Sequence, residues 1–281
     1  MSASSNPEQR EVPPAVGAVV GRRAARVVWE NELGGLTFEV GSGQDRCFVK
    51  WSPAASGIDL AHEAARLTWA HAFTPVPRVL DHGADETGAW LTTTALPGSN
   101  AVSPCWLADP KTAVHAIGEG LRAMHDALPA ATCPFSWRAA DRVARAHRRA
   151  AAGELNAADW EGPGSYGPAW DSLGTAGAVR AMSLDEALTL AGEPPPVDRL
   201  AVCHGDACAP NTLLTGDGCW SGHVDLGELG TADIWADLAV ATWSTQWNYG
   251  PGWEGELLAA YGIAPDPDRI RYYRMLWTLD P

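Results

Sequence analysis

A change of period at Gly98 constrains this chain more than any other feature. Before it, apolar residues come in short β-branched or aromatic runs, and after it they recur at helical spacing. The runs 25–32, 36–40 and 46–51 are broken by Gly34-Gly35 and Gly41-Ser42-Gly43, the pattern of an antiparallel meander. The stretch 89–98 is a further strand that ends in a Pro97-Gly98 turn. Beyond the turn, Val114, Ile117, Leu121, Met124 and Leu128 repeat on one helix face. A second helix, 139–153, carries Arg142, Arg145, Arg148 and Arg149, expected on a solvated face. The expectation is an α+β chain of two lobes with the cleft between them, hinged near 92–98. Residues 1–17 would be a disordered or loosely attached leader, 18–97 an N-terminal sheet lobe, and 98–281 a larger, mainly helical lobe.

The chemistry concentrates in the second lobe. Val202-Cys203-His204-Gly205-Asp206-Ala207-Cys208-Ala209-Pro210-Asn211, answered by Val224-Asp225-Leu226-Gly227, reads as a strand end, a tight loop, a hairpin and a second loop. These loops would present Asp206, Asn211 and Asp225 towards one point. Such oxygens suit Mg²⁺, a hard cation that usually keeps substrate phosphates as its remaining partners. Phosphoryl transfer asks little more of a protein than metal ligands, a cation on the phosphates and a carboxylate near the attacking hydroxyl. The residues therefore read as those of a small-molecule kinase. A structural Asp-rich turn pair would need neither the Asn nor the second Asp beyond a hairpin. Lysine is rare here, at Lys50 and Lys111 only, and Cys47-Phe48-Val49-Lys50 sets one on an otherwise apolar strand. A lysine there is costly unless paired, so a partner is expected.

His204-Gly205-Asp206-x-x-x-x-Asn211, followed by Asp225-x-Gly227-x-x-Gly230-x-x-Asp233-x-x-x-Asp237-Leu238-Ala239, resembles the aminoglycoside phosphotransferase family. The pattern, with Cys133-Pro134-Phe135, is nearest to the actinomycete 3′-phosphotransferases and spans about 25–280. The resemblance implies a bilobal, protein-kinase-like fold whose first lobe binds nucleotide, with ATP (or GTP) and Mg²⁺ as cofactors. It implies Asp206 as catalytic base and Asn211 and Asp225 as metal ligands. Lys50 would hold the nucleotide phosphates and pair with Glu63, in His62-Glu63-Ala64-Ala65-Arg66-Leu67. The main chain of Thr93, Thr94, Ala95 and Leu96 would read adenine. Gly34-Gly35 is read either as the loop over the phosphates or as a plain hairpin turn. Asp233 and Asp237, at the start of a helix, are assigned to bracing the catalytic loop, and His125 to packing.

Two departures from the family pattern bear on the acceptor. Glu228 stands where those enzymes commonly carry a basic residue, and the chain ends Leu276-Trp277-Thr278-Leu279-Asp280-Pro281 rather than in an acidic, aromatic tail. The formal charge of −14 disfavours nucleic acid, whose phosphates need basic patches. From residue 196 onward, 12 Asp and Glu against 4 Arg leave −8, which suits a cationic ligand. The expected partner is a polycationic, hydroxyl-bearing antibiotic of aminoglycoside type, met by Asp206 and Glu228. Glu154, Asp159, Glu161 and Asp171 of the insertion, and the C-terminal aromatic residues, are further candidates. A basic cyclic peptide antibiotic of the capreomycin and viomycin type stays open, as do a metabolic kinase and a non-catalytic pseudokinase. No apolar run approaches the ~18 residues of a membrane span, and the polar N-terminus lacks a signal-peptide pattern, so a cytoplasmic monomer or weak dimer is expected. The six scattered cysteines are expected to be free thiols rather than zinc ligands.

Overall fold

Alternation in Leu36–Val40, buried at Leu36, Phe38 and Val40 and part-exposed between them, sets one face of the N-terminal sheet against a core. The structure, a computed structural model, describes residues 12–31, 33–155 and 182–280. It divides into two units, Met1–Leu96 and Pro97–Pro281.

The first unit contains α1 (Pro14–Val20), β1 (Ala25–Glu30), β2 (Leu36–Val40), β3 (Cys47–Pro53), α2 (Leu60–Ala70), β4 (Val79–Ala84) and β5 (Gly88–Thr94). The strands form one antiparallel sheet in the order β1-β2-β3-β5-β4. Phe38 pairs with Val49, and Val16, Val40 and Cys47 join them in the core. Residues 14–17, expected within a loose leader, are thus the start of a helix whose Val16 is buried against the sheet. In α2 the Asp59 side chain caps Ala61 N. The buried positions Leu60, Glu63, Ala64, Leu67 and Ala70 then follow helical spacing, which puts a glutamate on the inward stripe.

The second unit contains β6 (Ser99–Asn100), α3 (Pro104–Leu107), α4 (Pro110–Ala127), α5 (Ala139–Ala151), α6 (Leu184–Ala191), β7 (Leu200–Cys203), β8 (Thr212–Leu214), β9 (Trp220–His223), β10 (Gly230–Asp233), α7 (Trp235–Tyr249), α8 (Glu254–Tyr261) and α9 (Pro267–Leu279). β7 pairs with β10, and β6, β8 and β9 form a second small sheet. Gly98 turns the chain into β6 at φ 93, where a side chain would collide with the Leu214 carbonyl. α4 starts earlier than its apolar repeat because Asp109 caps Thr112 N and Pro110 takes the first turn. α7 is buried on every side from Trp235 to Thr245, so it runs through the core rather than over it. Asp159, Glu161 and Asp171 lie outside the described residues. Among the described residues, no helix is long and apolar enough to cross a membrane, and all six cysteines are unpaired.

The basic face of α5 is not the solvated one expected; of its four arginines only Arg148 is exposed. Arg142 is fully buried, stacks 4.2 Å from the Trp137 ring and donates to the Asp280 carbonyl. Arg145 binds the Asp280 carboxylate at 2.8 Å, and Arg149 donates to Leu279 O at 3.0 Å. The cations thus meet the negative C-terminal end of α9. Burial pulls the Arg142 guanidinium down to about 10 against the opposing charge of Asp280, so it remains charged at neutral pH. Asp280→Ala should cost about 3–5 kcal/mol in urea unfolding by stranding that charge, and Arg142→Met in the same background should recover part of the loss.

Candidate active site

In the first unit, Lys50 Nζ lies 2.7 and 2.9 Å from the two Glu63 oxygens. β3 presents the part-exposed lysine and the inward stripe of α2 presents the glutamate, so the buried carboxylate finds its counter-ion. Thr93 sits in the ladder between Phe48 and Val79. Thr94 N donates to Arg78 O, and Thr94 Oγ1 accepts from Arg78 N. Ala95 N donates to Arg46 O at 3.3 Å, while Leu96 O accepts from the Arg46 guanidinium at 2.9 Å. The main chain expected to face adenine is therefore held in shape by Arg46 and Arg78. Gly34 and Gly35 donate to the backbone and side-chain oxygens of Asn31, which makes that segment a closed hairpin turn.

In the second unit, β7 delivers His204, Gly205 and Asp206. Gly205 adopts φ 89, and any Cβ there would strike the Glu228 carbonyl, so the two functional loops touch where only glycine fits. Asp206 N donates to His204 Nδ1 at 3.3 Å, and His204 Nε2 meets Val224 O at 2.9 Å, contacts that assign the Nε2–H tautomer. Asn211 Nδ2 donates to both Asp206 O and Asp206 Oδ2 at 3.0 Å. Val224 N donates to Asn211 O at 3.0 Å, which brings the next residue, Asp225, to the same place. Among the described residues Asp225 is the one non-glycine with positive φ, at 64°. The Cys208 thiol reports the convergence: burial pushes its pKa up, and the Asp206 and Asp225 charges push it further. Asp206 Oδ1 is buried and, among the described residues, takes no N–H or O–H donor; the thiol beside this carboxylate is a weak donor only. Carboxylate and amide oxygens on Asp206, Asn211 and Asp225 are the donor set Mg²⁺ takes, so these residues fit the ion.

Asp237 holds this arrangement from α7. Its Oδ2 accepts from His204 N at 2.6 Å and from His125 Nε2 at 2.9 Å, and its Oδ1 accepts from Gly205 N at 3.0 Å. His125 Nδ1 meets the Tyr261 hydroxyl at 2.9 Å, so the packing histidine is satisfied at both nitrogens. His125, Cys203 and Asp237 bring ligand atoms within 4.8 Å of one another, but these bonds make them a network rather than a metal site. Asp233 differs from its expected role. It closes β10 rather than opening a helix, and accepts from Asp198 N, Trp235 N and Arg269, so it ties α7 to α9. Ser244, which no motif contains, accepts from Ala209 N at 2.9 Å and pins the far end of the loop. Its only sequence signal was a small hydroxyl in an apolar helix. Glu228 is exposed, and its charge is felt weakly by Arg142.

Burial alone would raise the Asp237 pKa, but the His125 hydrogen bond, the electrostatic effect of the neighbouring His125 and His204 rings and the backbone donor hold it below its ordinary 3.8. A depressed carboxyl stabilises the fold above the unfolded value and ceases to do so as pH falls through the folded one. Asp237→Asn should therefore unfold at lower urea than wild type at pH 7, and the gap should narrow as pH falls below 3.8.

Residues 30–273 match the model of the phosphotransferase enzyme family. An aminoglycoside 3′-phosphotransferase of Streptomyces fradiae is 34% identical over 262 residues, covering 88% of this chain and 91% of that one. A streptomycin 3″-kinase of Streptomyces griseus is 33% identical over 279 residues, covering 96% of each. The structure of aminoglycoside phosphotransferase APH(3″)-Id from Streptomyces rimosus, in complex with ADP and streptomycin, aligns with a TM-score of 0.65 at 27% identity, covering 89% of this chain and 94% of that one. The match runs from the end of β1 into α9, and this chain belongs to the phosphotransferase enzyme family.

Proposed function

We propose that the protein transfers the γ-phosphoryl group of ATP to a hydroxyl of a polycationic antibiotic of aminoglycoside type. The observation that carries this reading is the state of Asp206. Asn211 ties one carboxylate oxygen, while the other takes no N–H or O–H donor among the described residues, which leaves it a lone pair for a hydroxyl proton. In this mechanism Lys50, steadied by Glu63, holds the nucleotide phosphates, and Asp206 orients the acceptor hydroxyl and takes its proton. The Thr93–96 main chain reads adenine, with Arg46 fixing its geometry. Asn211 and Asp225 would hold Mg²⁺, which when bound offsets the charge of the phosphate oxygens. The ADP held by the Streptomyces rimosus neighbour supports an adenine over a guanine nucleotide. Glu228, exposed one residue beyond the metal-loop glycine, is assigned to a cationic group of the acceptor.

ADP release from purified protein, measured against a panel of hydroxyl compounds, tests this directly. Turnover of cationic aminoglycosides is expected; turnover confined to neutral or anionic alcohols would remove the reading. The relatives' names carry both 3′ and 3″, so NMR of the phosphorylated product locates the hydroxyl. Asp206→Asn should lower kcat about 10²–10⁴-fold while leaving ATP binding intact, whereas Asp225→Ala should weaken Mg²⁺–ATP itself. Glu228→Gln should raise the acceptor KM roughly ten-fold at unchanged ATP KM, as loss of a charge-assisted contact requires.

A further inference from the structure

Three indoles meet where α7 and α9 pass each other. The Trp247 ring lies 4.8 Å from Trp243 and 5.9 Å from Trp277, and Trp243 lies 6.1 Å from Trp277. Trp243 is the buried base of the group. Behind it sits Arg274, 5.7 Å from the ring centroid and held by Ala239 O, Thr242 Oγ1 and Glu254. Trp277 is part-exposed, and Trp247 is 44% exposed although α7 is buried all round up to Thr245. A single exposed indole would need no explanation. Two open rings on a rigid aromatic base do, given their position.

That position is bracketed from two sides. Ser244, three residues before Trp247 on the same helix, accepts from Ala209 N in the loop that carries Asp206. Leu279 and Asp280, just after Trp277, are gripped by Arg149, Arg145 and Arg142, and Arg142 is near enough to Glu228 to feel its charge. Asp280 is thereby neutralised and buried, so the end of α9 offers an incoming cation π-faces rather than a carboxylate.

We infer that Trp247 and Trp277 form an aromatic shelf that recognises the acceptor, taking an ammonium or guanidinium group over an indole face and the apolar face of a sugar ring beside it. This rests on the function proposed above and makes both tryptophans specificity-determining residues for it. Indole is the best of the aromatic rings for a cation, and a ring backed by packed neighbours has no freedom to lose on binding.

The wild-type ADP-release panel comes first: no transfer to any cationic antibiotic removes the proposed function and the shelf with it. With an accepted aminoglycoside in hand, Trp247→Ala should raise its KM about ten-fold, with ATP KM and kcat within about two-fold of wild type. Trp247→Tyr should recover part of the loss, and Trp247→Leu, apolar but without a π-face, should recover less. An acceptor KM unchanged in Trp247→Ala overturns the shelf while leaving the proposed function standing, and so does an equal rise in both KM values. Trp247 is exposed, so this variant should fold; should Trp277→Ala unfold, titration of Trp247→Ala with the same aminoglycoside in a calorimeter still decides, since unweakened binding sinks the proposal.

Discussion

The catalytic loop hangs from one buried carboxylate. Asp237 accepts the backbone N–H groups of His204 and Gly205 and the Nε2–H of His125, and each of these bonds is strengthened by its charge and by the absence of competing water. Ser244 takes the N–H of Ala209 at the other end of the loop. Positions 237 and 244 are seven apart, two turns of α7, and so lie on one face. The loop from 204 to 209 is therefore fastened at both ends to a single helix that the core encloses on every side. Asp206 lies between the two anchors, which restricts its motion while neither anchor binds its carboxylate.

Several cations of this acidic chain are turned inward. Arg142 and Arg274 are buried, Arg269 bridges Asp233 and Asp266, and Lys50 is spent on Glu63. Much of what these cations bind is backbone carbonyl near helix ends or carboxylate at element boundaries. These positive groups fasten helix ends and element boundaries to one another.

Legibility in the sequence followed how local each cause was. The strand lysine and its helix glutamate were readable because a charge in an apolar run announces a partner, and the convergence of the 202–227 loops because their Gly, Asp and Asn recur at fixed spacing. The α5 arginines misled because spacing shows only that they share a face. That this face meets the end of α9, more than a hundred residues later, is tertiary information. Asp233 and Asp237 looked equivalent in sequence, yet one lies in a strand and the other in the first helical turn, and four residues of chain separate their partners entirely. Ser244 left no more than a small hydroxyl in an apolar helix, since the amide it anchors, Ala209 N, belongs to a distant part of the chain. Val16 was hidden by a polar, proline-containing neighbourhood that reads as a leader.

Asp225 holds a left-handed backbone conformation that costs a residue with a side chain about 1–3 kcal/mol. Glycine would take that conformation with little strain, and asparagine tolerates it about as well as aspartate. Folding and chemistry thus pull this position in opposite directions. A library of variants sorted only for heat resistance would be drawn towards glycine here and would discard the residue assigned above to the metal. Thermostabilised descendants of this protein should therefore be screened for turnover at every round, because under that assignment the mutation that most relaxes this loop also removes a carboxylate the reaction needs.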